Sequence, residues 1–202
     1  MAPVPAGNEI TVATYNILAD VYIDPARYPR SDANALAPKN RHPKLVDRVV
    51  GFDADVICLQ EVDLSMYNLL ESRLAPLGHE SFWHVKGPGK RDGCATFIRK
   101  PLVEVGSRVL RYGQESSKSV GHVAIISVVE RSGHLFIIAN THLKWDPPGT
   151  PRDQQWGLRQ ARELLAEVRH RPAIDFRHNP GILNLKQNFT GNAPRIRCPH
   201  IP

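Results

Sequence analysis

Cysteine is scarce in this chain of 202 residues: Cys58, Cys94 and Cys198 are the only three. They are too few and too scattered for a disulfide framework, and no Cys-x-x-Cys spacing offers a zinc site. A reducing, cytoplasmic setting is therefore expected. Long apolar runs are missing as well. None approaches the roughly eighteen residues that a membrane span needs, so no membrane partner is expected. The N-terminus, MAPVPAGNE, has no basic patch followed by an apolar stretch, and so carries no visible secretory signal.

A strong charge excess is also missing from the main body. The net charge is +6, but residues 1–172 hold 22 Lys and Arg against 19 Asp and Glu, while residues 173–202 hold 4 against 1. Half of the excess thus sits in the last thirty residues, and charge alone is weak support for a nucleic-acid partner. With 42% hydrophobic and 23% charged residues, the chain reads as an ordinary folded domain, long enough for one real core.

The pattern along the chain predicts alternating elements. Residues 10–16 (ITVATYN) read as a strand, followed by a loop rich in Pro, Asp, Ala and Asn up to about residue 40. A short helix is expected over 43–51, a buried strand over 54–60 ending at Glu61, and a helix over 64–75 with Met66, Leu69, Leu70 and Leu74 inward. Strands are expected over 81–86, 94–99, 102–110, 123–129 and 135–143, and a helix over 153–169. Arg131-Ser-Gly-His134 is a hairpin turn signal. This order predicts a layered α/β (mixed α+β) domain over residues 1–174. From Asp175 onward neither period survives, and residues 175–202 are expected to form an irregular, poorly ordered basic tail.

Three apolar strands end in polar residues: Tyr15-Asn16, Gln60-Glu61 and Asn140-Thr-His142. Layered folds build sites at such strand ends. Glu61 is a hard oxygen donor and Asn16 offers a neutral carbonyl oxygen. Such a pair suits Mg²⁺, which takes one or two carboxylates and fills its other positions with water and phosphate. His142 is placed to donate to a phosphate oxygen. Each residue also has a plain structural reading: a turn-forming Asn, a first exposed Glu, a satisfied His.

The words TYNILAD (14–20), DVICLQEV (55–62), RDGCATFIRK (91–100) and IIANTHLKW (137–145), in that order, resemble the endonuclease/exonuclease/phosphatase superfamily of DNase I-like phosphoesterases. The likeness is to its CCR4, nocturnin and Angel branch and covers about residues 9–174. It implies a four-layer α/β sandwich and hydrolysis of a phosphate ester with Mg²⁺, or Mn²⁺, as cofactor. It implies Glu61 as principal metal ligand, Asn16 as its helper, and Asn140 and His142 as catalytic groups at the scissile phosphate. Lys90 and Arg91 would form part of a basic rim for an RNA or other phosphate-ester substrate.

Two of the family's later words, Gly-Asp-x-Asn and Ser-Asp-His, do not occur in this sequence. Arg171-Pro-Ala-Ile-Asp-Phe-Arg177 stands where the first belongs, and the terminal histidine, His200, has no Asp before it, so neither Asp175 nor His200 inherits a role. The sandwich is therefore expected to be incomplete, as in a C-terminally truncated or frame-shifted chain. The inner face of its first sheet would be exposed. The expected activity is that of a 3′-exoribonuclease of the poly(A)-removing type, weak or absent in this chain. The alternatives are a small-molecule phosphatase of the same fold and a non-catalytic module that binds nucleic acid or protein.

Overall fold

The structure, a computed structural model, describes residues 9–113, 121–170 and 195–197. The strands are β1 (Glu9–Asn16), β2 (Val56–Asp63), β3 (His79–Val85), β4 (Asp92–Arg99), β5 (Val103–Arg111), β6 (Val123–Arg131), β7 (His134–Thr141) and β8 (Arg195–Arg197). The α-helices are α1 (Ala33–Leu36), α2 (Pro38–Val50), α3 (Leu64–Leu74) and α4 (Trp156–His170). One sheet has the order β3-β4-β2-β1-β8 and the other the order β5-β6-β7.

These elements stack in four layers. Val46 and Val49 of α2 and Met66, Leu70 and Leu74 of α3 pack on Ala13, Ile57, Leu59 and Phe97 of the first sheet. The other face of that sheet, through Ile10, Val56, Cys58 and Ile98, meets Val129, Phe136 and Ile138 of the second. Leu164 and Val168 of α4 close the far side against Tyr112, Ala124 and Ile126. The period-2 alternation of the strands divides their apolar residues between these layers.

Two expectations change. The inner face of the first sheet is not exposed: Ile10, Val56, Cys58 and Ile98 are all at most 5% accessible, because β5–β7 cover them. The second helix begins at Pro38, not Pro43. Pro38 occupies the first turn, where its missing N–H costs nothing, and Pro43 is carried inside the helix. In the tail, Arg195–Arg197 form a strand parallel to β1, with Ile10 opposite Ile196. The rest of residues 175–202 lies outside the described residues, as do Asp175 and His200. Among the described residues, no helix is long and apolar enough to cross a membrane. Cys58 and Cys94 are free and buried, and burial pushes both thiols up to about 12.

One end of the sandwich is tied by charge. Asp55, just before β2, accepts from Arg131 Nη1 at 3.1 Å and Nη2 at 2.8 Å. Thr11 of β1 donates to Asp55 Oδ2 from both its backbone N–H and its hydroxyl, each at 2.8 Å. Arg131 belongs to the second sheet, so this buried pair fastens one sheet to the other.

Gly93 is fixed by crowding. A Cβ there would lie 1.9 Å from the His84 carbonyl oxygen. Gly93→Ala is expected to lower unfolding stability by about 3 kcal/mol or more, since backbone cannot yield as a flexible side chain does. A denaturant midpoint equal to that of the unmodified chain would show that β3 and β4 are not so tightly apposed.

Candidate active site

The other end of the sandwich gathers the polar strand ends. β1 and β2 run parallel with Asn16 opposite Gln60. Between Gln60 and Val62 the pairing with β4 slips by one residue. The extra residue is Glu61, whose φ of 57° lies in the left-handed region. Leu59 and Val62 both face the helices, three positions apart. Strict alternation forbids that, so the bulge absorbs Glu61 and re-aims it out of the ladder. Left-handed backbone in a residue with a Cβ is strain, and strain of this kind clusters at functional sites.

Glu61 is held from two sides. Asn16 Nδ2 donates to its Oε1 at 2.8 Å, and the Ala19 backbone N–H donates to its Oε2 at 3.2 Å. Asn16 Oδ1 accepts from Leu18 N–H at 2.9 Å, so the turn after β1 orients the amide. The same turn is clamped by Arg41, which donates to the Ile17 and Leu18 carbonyls and to Asp20. His142 Nε2 stands 3.8 Å from Glu61 Oε1. The backbone oxygen of His142 lies 2.7 Å from His122 Nδ1. Burial, then the Lys86 charge, hold the His142 imidazole below its ordinary 6.5, with Glu61 and Asp92 pulling the other way.

Asn140 sits deeper than the sequence implied. It is 2% exposed, and its amide donates to the Leu59 carbonyl, the Ala95 carbonyl and Thr96 Oγ1, while its Oδ1 accepts from Gln60. These bonds cross from one sheet to the other. Lys90 and Arg91 occupy the exposed turn between β3 and β4, with no side-chain partner among the described residues.

The sequence reading missed the pair flanking that turn. Lys86 and Asp92 meet at 2.6 Å, their side chains 6% and 0% exposed. The Tyr22 hydroxyl donates to Asp92 Oδ1 at 2.8 Å. Burial, the Asp92 bond and the nearby Asp92 and Glu61 charges push Tyr22 up to about 12. The signal was present in HVKGPGKRDG: a hairpin over these residues sets Lys86 across from Asp92.

No group of three His, Cys, Asp or Glu side chains suited to a metal occurs among the described residues. One anchored carboxylate beside an amide does not suit zinc. It does fit a hard divalent cation that keeps most of its ligands as water and phosphate.

Known proteins are similar to this chain in sequence and in fold. The endonuclease/exonuclease/phosphatase family matches residues 13–174. The Ccr4 3′-5′-exoribonuclease subunit of the CCR4-Not complex from Yarrowia lipolytica is 30% identical over an alignment of 168 positions that covers 68% of this chain and 24% of that one. A probable RNA exonuclease of Schizosaccharomyces pombe is 30% identical over an alignment of 169 positions that covers 79% of this chain and 32% of its own. Among solved structures, ANGEL2, a 2′,3′-cyclic phosphatase, superposes with a TM-score of 0.69 at 25% identity, covering 79% of this chain and 46% of that one. The human Nocturnin catalytic domain, solved with a sulfate anion, gives 0.61 at 25% identity, with 79% and 58% covered. The chain thus spans about a quarter to a third of these two sequence relatives and about half of the two solved chains.

Proposed function

The chain belongs to the endonuclease/exonuclease/phosphatase family, and from that premise we propose that it hydrolyses phosphodiester bonds with a divalent cation, Mg²⁺ by preference, as a 3′-exoribonuclease of the poly(A)-removing type. The observation that carries this is the convergence of Asn16 and His142 on the Glu61 carboxylate, at 2.8 and 3.8 Å, where three strands end. The likeness to the Ccr4 exoribonuclease subunit and to the probable RNA exonuclease of fission yeast favours RNA as substrate.

Glu61 would hold the cation, with Asn16 fixing the carboxylate. A bound cation supplies charge stabilisation at the phosphoryl oxygens and at the leaving oxygen. His142 Nε2 binds a phosphoryl oxygen. Asn140 is assigned to the same end of the site, holding β7 against β2 so that His142 keeps its distance from Glu61. Lys90 and Arg91 meet the backbone of the substrate. Because Gly-Asp-x-Asn and Ser-Asp-His words are absent from these residues, turnover by this chain is expected to be slow, by the roughly 10²–10⁴ that a general base contributes.

A second reading comes from the likeness to ANGEL2: removal of a 2′,3′-cyclic phosphate from an RNA end. Three substrates separate the readings: oligo(A) with a free 3′ hydroxyl, the same oligonucleotide ending in a 2′,3′-cyclic phosphate, and a small phosphate ester. Shortening of the first with Mg²⁺ supports the exonuclease. Loss of the cyclic end without shortening supports the phosphatase. In either case Asn16→Ala is expected to lower the rate by on the order of 10²-fold. Salt-dependent RNA binding with no turnover at any Mg²⁺ concentration would leave the chain a binding module.

A further inference from the structure

Asp20, the last residue of the word TYNILAD, has no part in the site as assigned. It lies in the turn that leaves β1, and two successive side chains of α2 grip it. Arg41 Nη1 donates to its Oδ1 at 2.9 Å, and His42 Nε2 stands 2.7 Å from its Oδ2. The second guanidinium nitrogen, Arg41 Nη2, donates to the Ile17 carbonyl at 2.6 Å and to the Leu18 carbonyl. One planar fork therefore engages Ile17, Leu18 and Asp20 together. The Arg41 side chain is 13% exposed, so water competes little for these charge-assisted bonds.

Neither partner suits its own element. The opening of α2, Pro38-Lys-Asn-Arg-His42, carries cations and no acid at the end of the helix where the dipole disfavours positive charge. Leu18 holds a φ of 57°, left-handed backbone that is unfavourable for a residue with a Cβ. Two broken local rules in direct contact point to a demand from the site.

The peptide units show what that demand is. The Ile17 carbonyl and the Leu18 N–H are opposite edges of one planar unit, and the Leu18 carbonyl and the Ala19 N–H are opposite edges of the next. Arg41 holds both oxygens. The two N–H groups hold the site: Leu18 N–H donates to Asn16 Oδ1 at 2.9 Å, and Ala19 N–H donates to Glu61 Oε2 at 3.2 Å. The first bond aims the Asn16 amide, whose Nδ2 donates to Glu61 Oε1, and the second holds the other oxygen of the same carboxylate. Fixing the acceptor edge of a planar unit fixes the direction of its donor edge.

We propose that Arg41 is a positioning residue for the cation site, pinning the two peptide units that aim Asn16 and Glu61, while Asp20, itself held by His42, keeps the guanidinium in place. This deepens the reading proposed above and rests on its assignment of Glu61 to the cation.

The test is Mn²⁺ binding to the 202-residue chain, followed by the paramagnetic resonance of the free ion. Arg41→Lys keeps the charge but loses the fork, since an ammonium is a point donor. It is expected to bind Mn²⁺ about tenfold more weakly, as when a group that orients a metal ligand is lost. Arg41→Ala is expected to lose at least as much, although removal of a positive charge would by itself favour a cation. Millimolar guanidinium is expected to restore part of the affinity of Arg41→Ala and none in Glu61→Ala. If Arg41→Ala does not fold, Arg41→Lys, which strands no charge, carries the test, with its Tm as the check. In turnover of oligo(A), Arg41→Lys is expected to need about tenfold more Mg²⁺ for half its full rate, with KM for oligo(A) unchanged. General loosening of the fold does not produce that split. Equal Mn²⁺ affinity in Arg41→Lys and the unmodified chain overturns the positioning role, as does tighter binding by Arg41→Ala. If Glu61→Ala binds Mn²⁺ as the unmodified chain does, the assigned cation site fails and the positioning role with it. If Glu61→Ala loses binding and Arg41→Lys keeps it, only the positioning role is lost.

Discussion

Replacing Arg131 with alanine is expected to lower the unfolding free energy by about 3 kcal/mol, because it strands a carboxylate between two sheets. Asp55 is 4% exposed and takes two hydrogen bonds from the Arg131 guanidinium. The Thr11 donors remain after the substitution, and Arg99 lies 3.7 Å away, so the loss falls at the lower end of the range for such pairs. Asp55→Asn combined with Arg131→Ala is expected to be less destabilised than Arg131→Ala alone, since the buried charge is then gone and Thr11 keeps an acceptor. Additive losses in the double variant, read by urea unfolding, would mean that the two groups do not sense each other.

The same pair sets an acid limit. Burial raises Asp55, but hydrogen bonds from Arg131 and Thr11 outweigh it and hold the carboxyl below its ordinary 3.8. The unfolded chain therefore binds this proton first as pH falls. The stability the pair contributes is complete above the ordinary carboxylate range and is lost as pH drops through the depressed folded value. In Arg131→Ala that part of the acid dependence is expected to shrink.

Element order was legible because each strand and helix of this fold carries its own period. Ile10 to Asn16, Met66 to Leu74 and Val123 to Val129 read correctly as elements because tertiary contacts agree with local pattern, although Leu69, expected inward, is 38% exposed while Met66, Leu70 and Leu74 are buried. The strand ends were legible too: Asn16, Glu61 and His142 do meet. Pairing between distant segments was not. Nothing local to Asp55 announces Arg131, seventy-six residues later. The depth of Asn140 depends on which carbonyls of β2 and β4 face it, which follows from register and not from the word IIANTH. Pro38 opens a helix because its fixed φ and missing N–H suit the first helical turn, a role that the loop-like composition of 19–40 obscured.

Glu61 offers the sharpest separation between what the site needs and what the fold prefers. At an ordinary strand position, glycine is less stable than alanine by about 0.5–1 kcal/mol. At Glu61 the order is expected to invert. Both Glu61→Gly and Glu61→Ala lose the bonds from Asn16 and Ala19. Only alanine keeps a Cβ in left-handed backbone at φ 57°, at a cost of about 1–2 kcal/mol. Glu61→Gly should therefore unfold at higher urea than Glu61→Ala, while both lose hydrolysis by at least about 10²-fold. Glu61→Gln keeps side-chain length and an oxygen toward Ala19 but gives up the charge, and it should be as inactive as the truncations. If alanine proves the more stable of the two, the bulge holds no strain. If Glu61→Gln keeps its rate, the carboxylate is not what grips the cation. The expected result, a variant that folds better and does nothing, would mean that the chain tolerates unfavourable backbone at this position because only an acidic side chain, turned out of the ladder there, serves the chemistry.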